Sequence, residues 1–238
     1  MQTTSSPTST GRSHRPRTGP LVAWLGVSGL LTALAFASRA AEAEPSPDLL
    51  YRPSFVVGGI VQYGIILLVA LGIARMYPRP LRALGFRRFR WRWVWISFAV
   101  VLGAVVVAAS LEPLLGGGEK QGLAPDRWQP DDAVVFALSC VLLVLAGPFA
   151  EEVFFRGLGV RALAPFGGLT AIVVTGLVFG LVHGIPEALP PLVLFGLGLG
   201  WVRLRSASVW PPFIAHAAYN GLGVLLLVLS WVADAPTA

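Results

Sequence analysis

The chain has 238 residues, of which 55% are hydrophobic and only 13% charged, where an ordinary soluble domain carries about 25% charged residues. That composition excludes a solvated globular domain, and the single cysteine, Cys140, excludes an intramolecular disulfide. The formal net charge of +6 resides in arginines grouped between apolar runs, a pattern that orients membrane helices and points away from nucleic acid as a partner.

In chain order, the first twenty residues are rich in Ser, Thr, Pro and Arg and read as a disordered cytoplasmic tail. Apolar runs follow at 21–38, 54–74, 93–111, 132–150 with helix continuing to about 164, 168–184, 190–204 and 209–232. Several suit a hydrocarbon core about 30 Å thick, which roughly 20 helical residues span. The expected fold is therefore an all-α, polytopic transmembrane bundle of about 7 crossings, within a range of 6–8. Residues 21–129 form the amino-terminal helices with a basic inner loop at 75–92, residues 130–232 a second, core region, and 233–238 a tail.

The charges support this path through a cell membrane with the amino terminus cytoplasmic. Arg75, Arg79, Arg82, Arg87, Arg88, Arg90 and Arg92 lie in one loop, and Arg12, Arg15, Arg17, Arg156, Arg161, Arg203 and Arg205 fall on the same side. The loop at 112–131 carries Glu112, Glu119, Asp126 and Asp131 against Lys120 and Arg127 and falls outside, as does Asp234. The basic tail, apolar run and "ASRAAEAE" also fit a signal peptide, whose removal leaves six crossings in the same orientation. The stretch "LRALGFRRFRWRWVW" reads as an interfacial anchor against membrane lipids.

Polar residues inside apolar runs are few. A charge at the bilayer centre costs about 2.5–3.5 kcal/mol on insertion scales, so such residues are usually paired or functional. Only Glu151, Glu152, Arg156, His183, His216 and Asn220 combine strong polarity with an apolar setting. Glu152 and Arg156 are four apart and share a helix face, which suits an ion pair. His216 and Asn220 are also four apart, while Glu151 has no partner at helical spacing.

The break "APFGG" (Ala164–Gly168) folds one helix back on the next. A turn centred near Phe166 sets Glu151 and Glu152 opposite Gly180 and Leu181, within a turn of His183. Counting 1.5 Å per residue, Glu151 lies about 15 Å deep, His216 about 10 Å and Asn220 about 16 Å. Three segments thus converge on one polar pocket. A glutamate able to take a proton from water, two imidazoles and an amide able to hold an oxyanion are the components of a hydrolase. With a divalent metal such as zinc, the carboxylate and histidines also polarise a carbonyl and acidify water. The motif H-E-x-x-H is absent, so such ligands come from separate helices. Taken singly, each of these residues also has a structural reading: an ion pair for Glu152 and Arg156, a hydrogen-bonded core histidine for His183, a helix bridge for His216 and Asn220. Glu187, in "HGIPEALPP", reads as a loop residue.

"EEVFFR" (Glu151 to Arg156), "FGLVH" (Phe179 to His183) and "HAAYN" (His216 to Asn220) together resemble the three motifs of the CPBP family of intramembrane CAAX prenyl proteases and bacteriocin-processing enzymes. The resemblance covers about residues 130 to 232 and makes 130–232 a CAAX-protease-like catalytic core. It implies a membrane endopeptidase in which Glu151 is the general base, His183 and His216 position water or a metal, and Asn220 stabilises the oxyanion. Glu152 and Arg156 are then supporting residues, and His183, His216 and Glu151 the metal ligands if a metal is used. The substrate, a secreted peptide or a membrane protein, is left open. Two other classes remain: a proton-coupled transporter, built from the same residue types, and a catalytically silent immunity or scaffold protein.

Overall fold

A computed structural model describes residues 18–41, 48–115, 125 and 127–233. The tail up to Arg17, the acidic residues Glu119 and Asp126 with Lys120, and the end at Asp234 lie outside the described residues. Within them the protein is all-helical, as expected: α1 (Thr18–Ala41), α2 (Pro53–Ala74), the short α3 (Pro80–Ala83), α4 (Arg92–Leu115), α5 (Pro130–Phe166), α6 (Gly168–Leu181), α7 (Leu189–Ser206) and α8 (Trp210–Ala233). Large apolar side chains face outward, Leu68, Val134 and Leu169 among them, while Glu152 and Arg156 are fully buried. A water-soluble protein reverses that distribution; a bundle solvated by lipid has it.

Five helices are long and apolar enough to cross a membrane: α1, α2, Arg92–Leu111 of α4, α5 and α8. The sixth and seventh runs form a shorter hairpin. The 14 residues of α6 rise only about 21 Å. Glycine governs how closely this hairpin closes. A Cβ on Gly196 of α7 would stand 2.9 Å from Gly176 Cα on α6, so the two backbones touch where any side chain would part them.

The 37 residues of α5 are continuous but not uniform. Two stretches, Leu142–Ala146 and Glu152–Gly159, are wound as π-helix with bonds from residue i+5 to i. Such wide turns recur at functional sites. A 3-10 turn at Ala164–Phe166 ends the helix, and Gly167, at φ 100°, supplies the positive φ that starts α6.

The first helix belongs to the packed core. Trp24 of α1 is completely buried, and its indole Nε1 donates to the Phe154 carbonyl at 3.2 Å. At the far end of the bundle, Tyr51, Trp128, Phe136 and Trp231 form an aromatic cluster, with ring centroids 5.3–6.4 Å apart. Cys140 packs against this cluster, in keeping with its reading as a packing residue.

Candidate active site

Glu151 and Glu152 are neighbours with opposite environments. Glu152 points into the bundle with no exposure, and its Oε1 lies 3.1 Å from Arg156 Nη1 and 3.0 Å from His216 Nδ1. Glu151 keeps 19% of its side chain exposed, and its Oε2 faces His216 Nε2 at 3.8 Å. One imidazole therefore links both carboxylates. A carboxylate accepts, so His216 Nδ1 donates to Glu152, and its Nε2 faces Glu151. At 3.8 Å that second approach is longer than a direct hydrogen bond and leaves room for a bridging water.

Arg156 is fixed on three sides. Besides Glu152, its Nη2 donates to the Gly196 carbonyl at 3.3 Å, and its Cζ sits 4.2 Å from the Phe179 ring centroid. The close α6–α7 contact through Gly176 is what brings that carbonyl within reach. Stacking a guanidinium on an aromatic face suits a desolvated charge. Glu152 Oε2 and Arg156 Nε nonetheless remain buried without a hydrogen-bond partner.

His183 closes α6, where Gly184 at φ 67° ends the helix. Its Nδ1 donates to the Phe179 carbonyl at 2.7 Å, which leaves Nε2 as the free acceptor. Phe179 links the motifs: its ring is 4.8 Å from His183 and 5.9 Å from His216. His183 thus reaches the site through Phe179, with no direct bond to either carboxylate. Glu152 and His183 are joined through Arg156, which pairs with Glu152 and stacks on Phe179, one turn before His183.

Asn220 is held where the sequence could not foresee. Its Nδ2 donates to the Leu143 carbonyl at 2.8 Å. In the π turn Gly147 N–H bonds to Leu142 O, so the next donor in that register, for Leu143 O, would be residue 148. That residue is Pro148, which has no N–H. The orphaned carbonyl is satisfied by Asn220, which keeps one amide hydrogen and its own carbonyl oxygen uncommitted.

The structure adds Tyr63, which sequence reasoning missed. It lies on α2, outside the motif segments, against Gly147, where a Cβ would come within 2.8 Å of Tyr63 Oη, and it feels the charge of Glu151. The available signal was the "QY" pair inside an otherwise apolar α2. Phe195 of α7 was also missed; its ring packs 5.0 Å from His216 and 5.1 Å from Tyr219. Glu187 falls in the α6–α7 connection, as read.

Among the described residues no three His, Cys, Asp or Glu side chains are grouped to hold a metal ion. The suggested set of His183, His216 and Glu151 is not gathered into such a group in this arrangement, although His216 Nε2 is near Glu151.

The site thus combines a buried ion pair, two imidazoles and a half-open carboxylate inside an all-helical bundle. Residues 133–222, which contain all three motifs, match the family model of the Type II CAAX prenyl endopeptidase Rce1-like proteins. No curated protein and no solved structure matches the chain. Over this segment the chain is similar to CAAX-type proteases, and five of its described helices are long and apolar enough to cross a membrane.

Proposed function

We propose that the chain is an intramembrane endopeptidase in which Glu151 activates water against a peptide carbonyl. The observation that carries this reading is the contrast between the two glutamates. Glu152 is committed to Arg156 and His216, whereas Glu151 is partly open and faces the free Nε2 of His216 at 3.8 Å. A water hydrogen-bonded to both atoms gives its proton to Glu151 as its oxygen attacks the carbonyl carbon. The tetrahedral oxyanion is met by the uncommitted N–H of Asn220. Protonated Glu151 then returns the proton to the departing amine as the C–N bond breaks.

His216 orients the water and is itself held in one tautomer by Glu152. His183, fixed by the Phe179 carbonyl, offers a second acceptor at the edge of the site. Tyr63 adds a phenol on the Glu151 side. No step is assigned to a metal, because the side chains that would bind one are not gathered. The positive-inside rule supports a cytoplasmic amino terminus and cytoplasmic arginine loops in this reading. Substrates are peptides or membrane proteins that present an extended segment to Glu151.

The test is cleavage of a quenched-fluorescent peptide library by the purified, detergent-solubilised full chain, beside Glu151→Gln, with and without a chelator. The reading predicts turnover by the wild type, loss in the variant and indifference to the chelator. Equal cleavage by both proteins would remove Glu151 from the chemistry, and chelator-sensitive cleavage would require a metal site absent from this arrangement.

A further inference from the structure

At the arginine-rich end of the bundle, away from the carboxylates, lies a cavity of about 670 Å³ whose lining includes Arg79, Arg82, Arg87, Arg161, Arg203 and Tyr77 and no acidic side chain. The arginines come from the loop after α2, from α3, from the α3–α4 loop, from α5 and from α7. The sequence presents these cations as an interfacial anchor, but the fold gathers them into one built concavity.

Specific bonds hold the wall in place. Val209 N donates to the Gly85 carbonyl at 3.0 Å, and Ser208 Oγ donates to the Arg87 carbonyl at 2.9 Å. Gly85 adopts φ 87°, and a Cβ there would meet the Arg203 guanidinium at 2.5 Å. The α3–α4 loop is therefore folded directly over Arg203. That guanidinium is only 7% exposed, and its Nε has no hydrogen-bond partner. Arg161 lies over the Tyr77 ring at 5.1 Å, and Arg87 and Arg161 both act on Arg203 as like charges. Gathering uncompensated cations around a concavity is unfavourable unless an anion completes it, and guanidiniums suit phosphate through paired N–H donors.

We propose that this cavity binds a phosphate group, supplied by the headgroup of an anionic phospholipid or by a small soluble polyphosphate. Its volume falls within the roughly 300–1,000 Å³ of small-molecule sites, and basic pockets between membrane helices are suited to phosphorylated headgroups. The lining includes none of the residues assigned to the peptidase chemistry, although Arg203 also feels the charge of Glu152. Arg161 stands ten residues beyond Glu151 on α5.

The experiment measures retention of a fluorescent phosphatidylglycerol relative to phosphatidylcholine by the full chain in mixed micelles, together with saturable binding of inorganic pyrophosphate at matched ionic strength. Arg82→Gln with Arg87→Gln is compared with Arg88→Gln with Arg90→Gln, an equal charge change at exposed arginines outside the cavity lining. The cavity pair should weaken binding by about tenfold or more, and the control pair by less than twofold. Arg161→Gln, on another helix, should weaken it about fivefold, which keeps the test alive should the double variant fail to fold. A preference for phosphatidylglycerol assigns the lipid as source. Pyrophosphate binding without lipid preference, sensitive to the same pair, assigns a soluble anion. Equal losses from both pairs, or no selective binding of either probe, would overturn the site.

Discussion

The two polar regions of this bundle differ in how completely their groups are satisfied. At the aromatic end, Tyr51 Oη donates to the Arg127 carbonyl at 3.2 Å and accepts from Gln129 N at 3.2 Å, while Trp231 Nε1 donates to the Pro125 carbonyl at 2.9 Å. Gln129 Nε2 bonds to Asp48 at 2.7 Å. These contacts close loops and stitch α8 to the rest of the bundle. At the centre, Glu152 Oε2 and Arg156 Nε are buried without hydrogen-bond partners, and Glu151 stands 3.8 Å from His216 Nε2 without a direct hydrogen bond. Stability alone would select full pairing in both places, because an unpaired buried polar group costs about 1–3 kcal/mol. Incomplete satisfaction is tolerated where chemistry needs groups left available.

That comparison can be broken by substitution. The largest effect is expected from Glu151→Gln, which removes the proposed base while leaving the half-open pocket intact. Peptide turnover should fall by about 10³-fold with an unchanged thermal unfolding midpoint. Next comes Glu152→Gln, which strands the buried Arg156 charge. Breaking a buried pair costs about 3–5 kcal/mol, so the unfolding midpoint should drop by roughly 10 °C, as measured by intrinsic fluorescence in detergent. Asn220→Ala should lower turnover by about 10²-fold through loss of the oxyanion donor, and stability by about 1 kcal/mol because Leu143 O is orphaned. The smallest effect belongs to the aromatic end. Trp231→Phe removes the bond to Pro125 and trims the ring packed on Trp128 and Phe136, and should cost about 1–2 kcal/mol with unaltered turnover.

Much of this architecture is legible in the sequence because the lipid environment imposes simple rules. Apolar runs had to become helices, and the break at Ala164–Gly168 appears as a 3-10 turn followed by a positive-φ glycine. The spacing of Glu152 and Arg156 did produce an ion pair. Other features escaped for definite reasons. A 3.6-residue period cannot reveal π turns, so the link from Pro148 through Leu143 to Asn220 depends on backbone winding that no side-chain pattern reports. The pairing of His216 with Glu152 rather than Glu151 alone turns on rotations of a few tens of degrees about the helix axes. Tyr63 lies on a helix with no motif. The arginines were read as one exposed loop because sequence order separates Arg87 from Arg161 and Arg203 by more than 70 positions. The sixth and seventh apolar runs form the α6–α7 hairpin, at whose α6 end His183 bonds to the Phe179 carbonyl.

The most direct test of the division between the two glutamates is to record peptide cleavage and thermal unfolding for Glu151→Gln and Glu152→Gln side by side in one detergent. The account predicts that Glu151→Gln is inactive yet melts with the wild type, and that Glu152→Gln melts well below it. Activity retained in Glu151→Gln, or a melting loss in that variant as large as in Glu152→Gln, would contradict it.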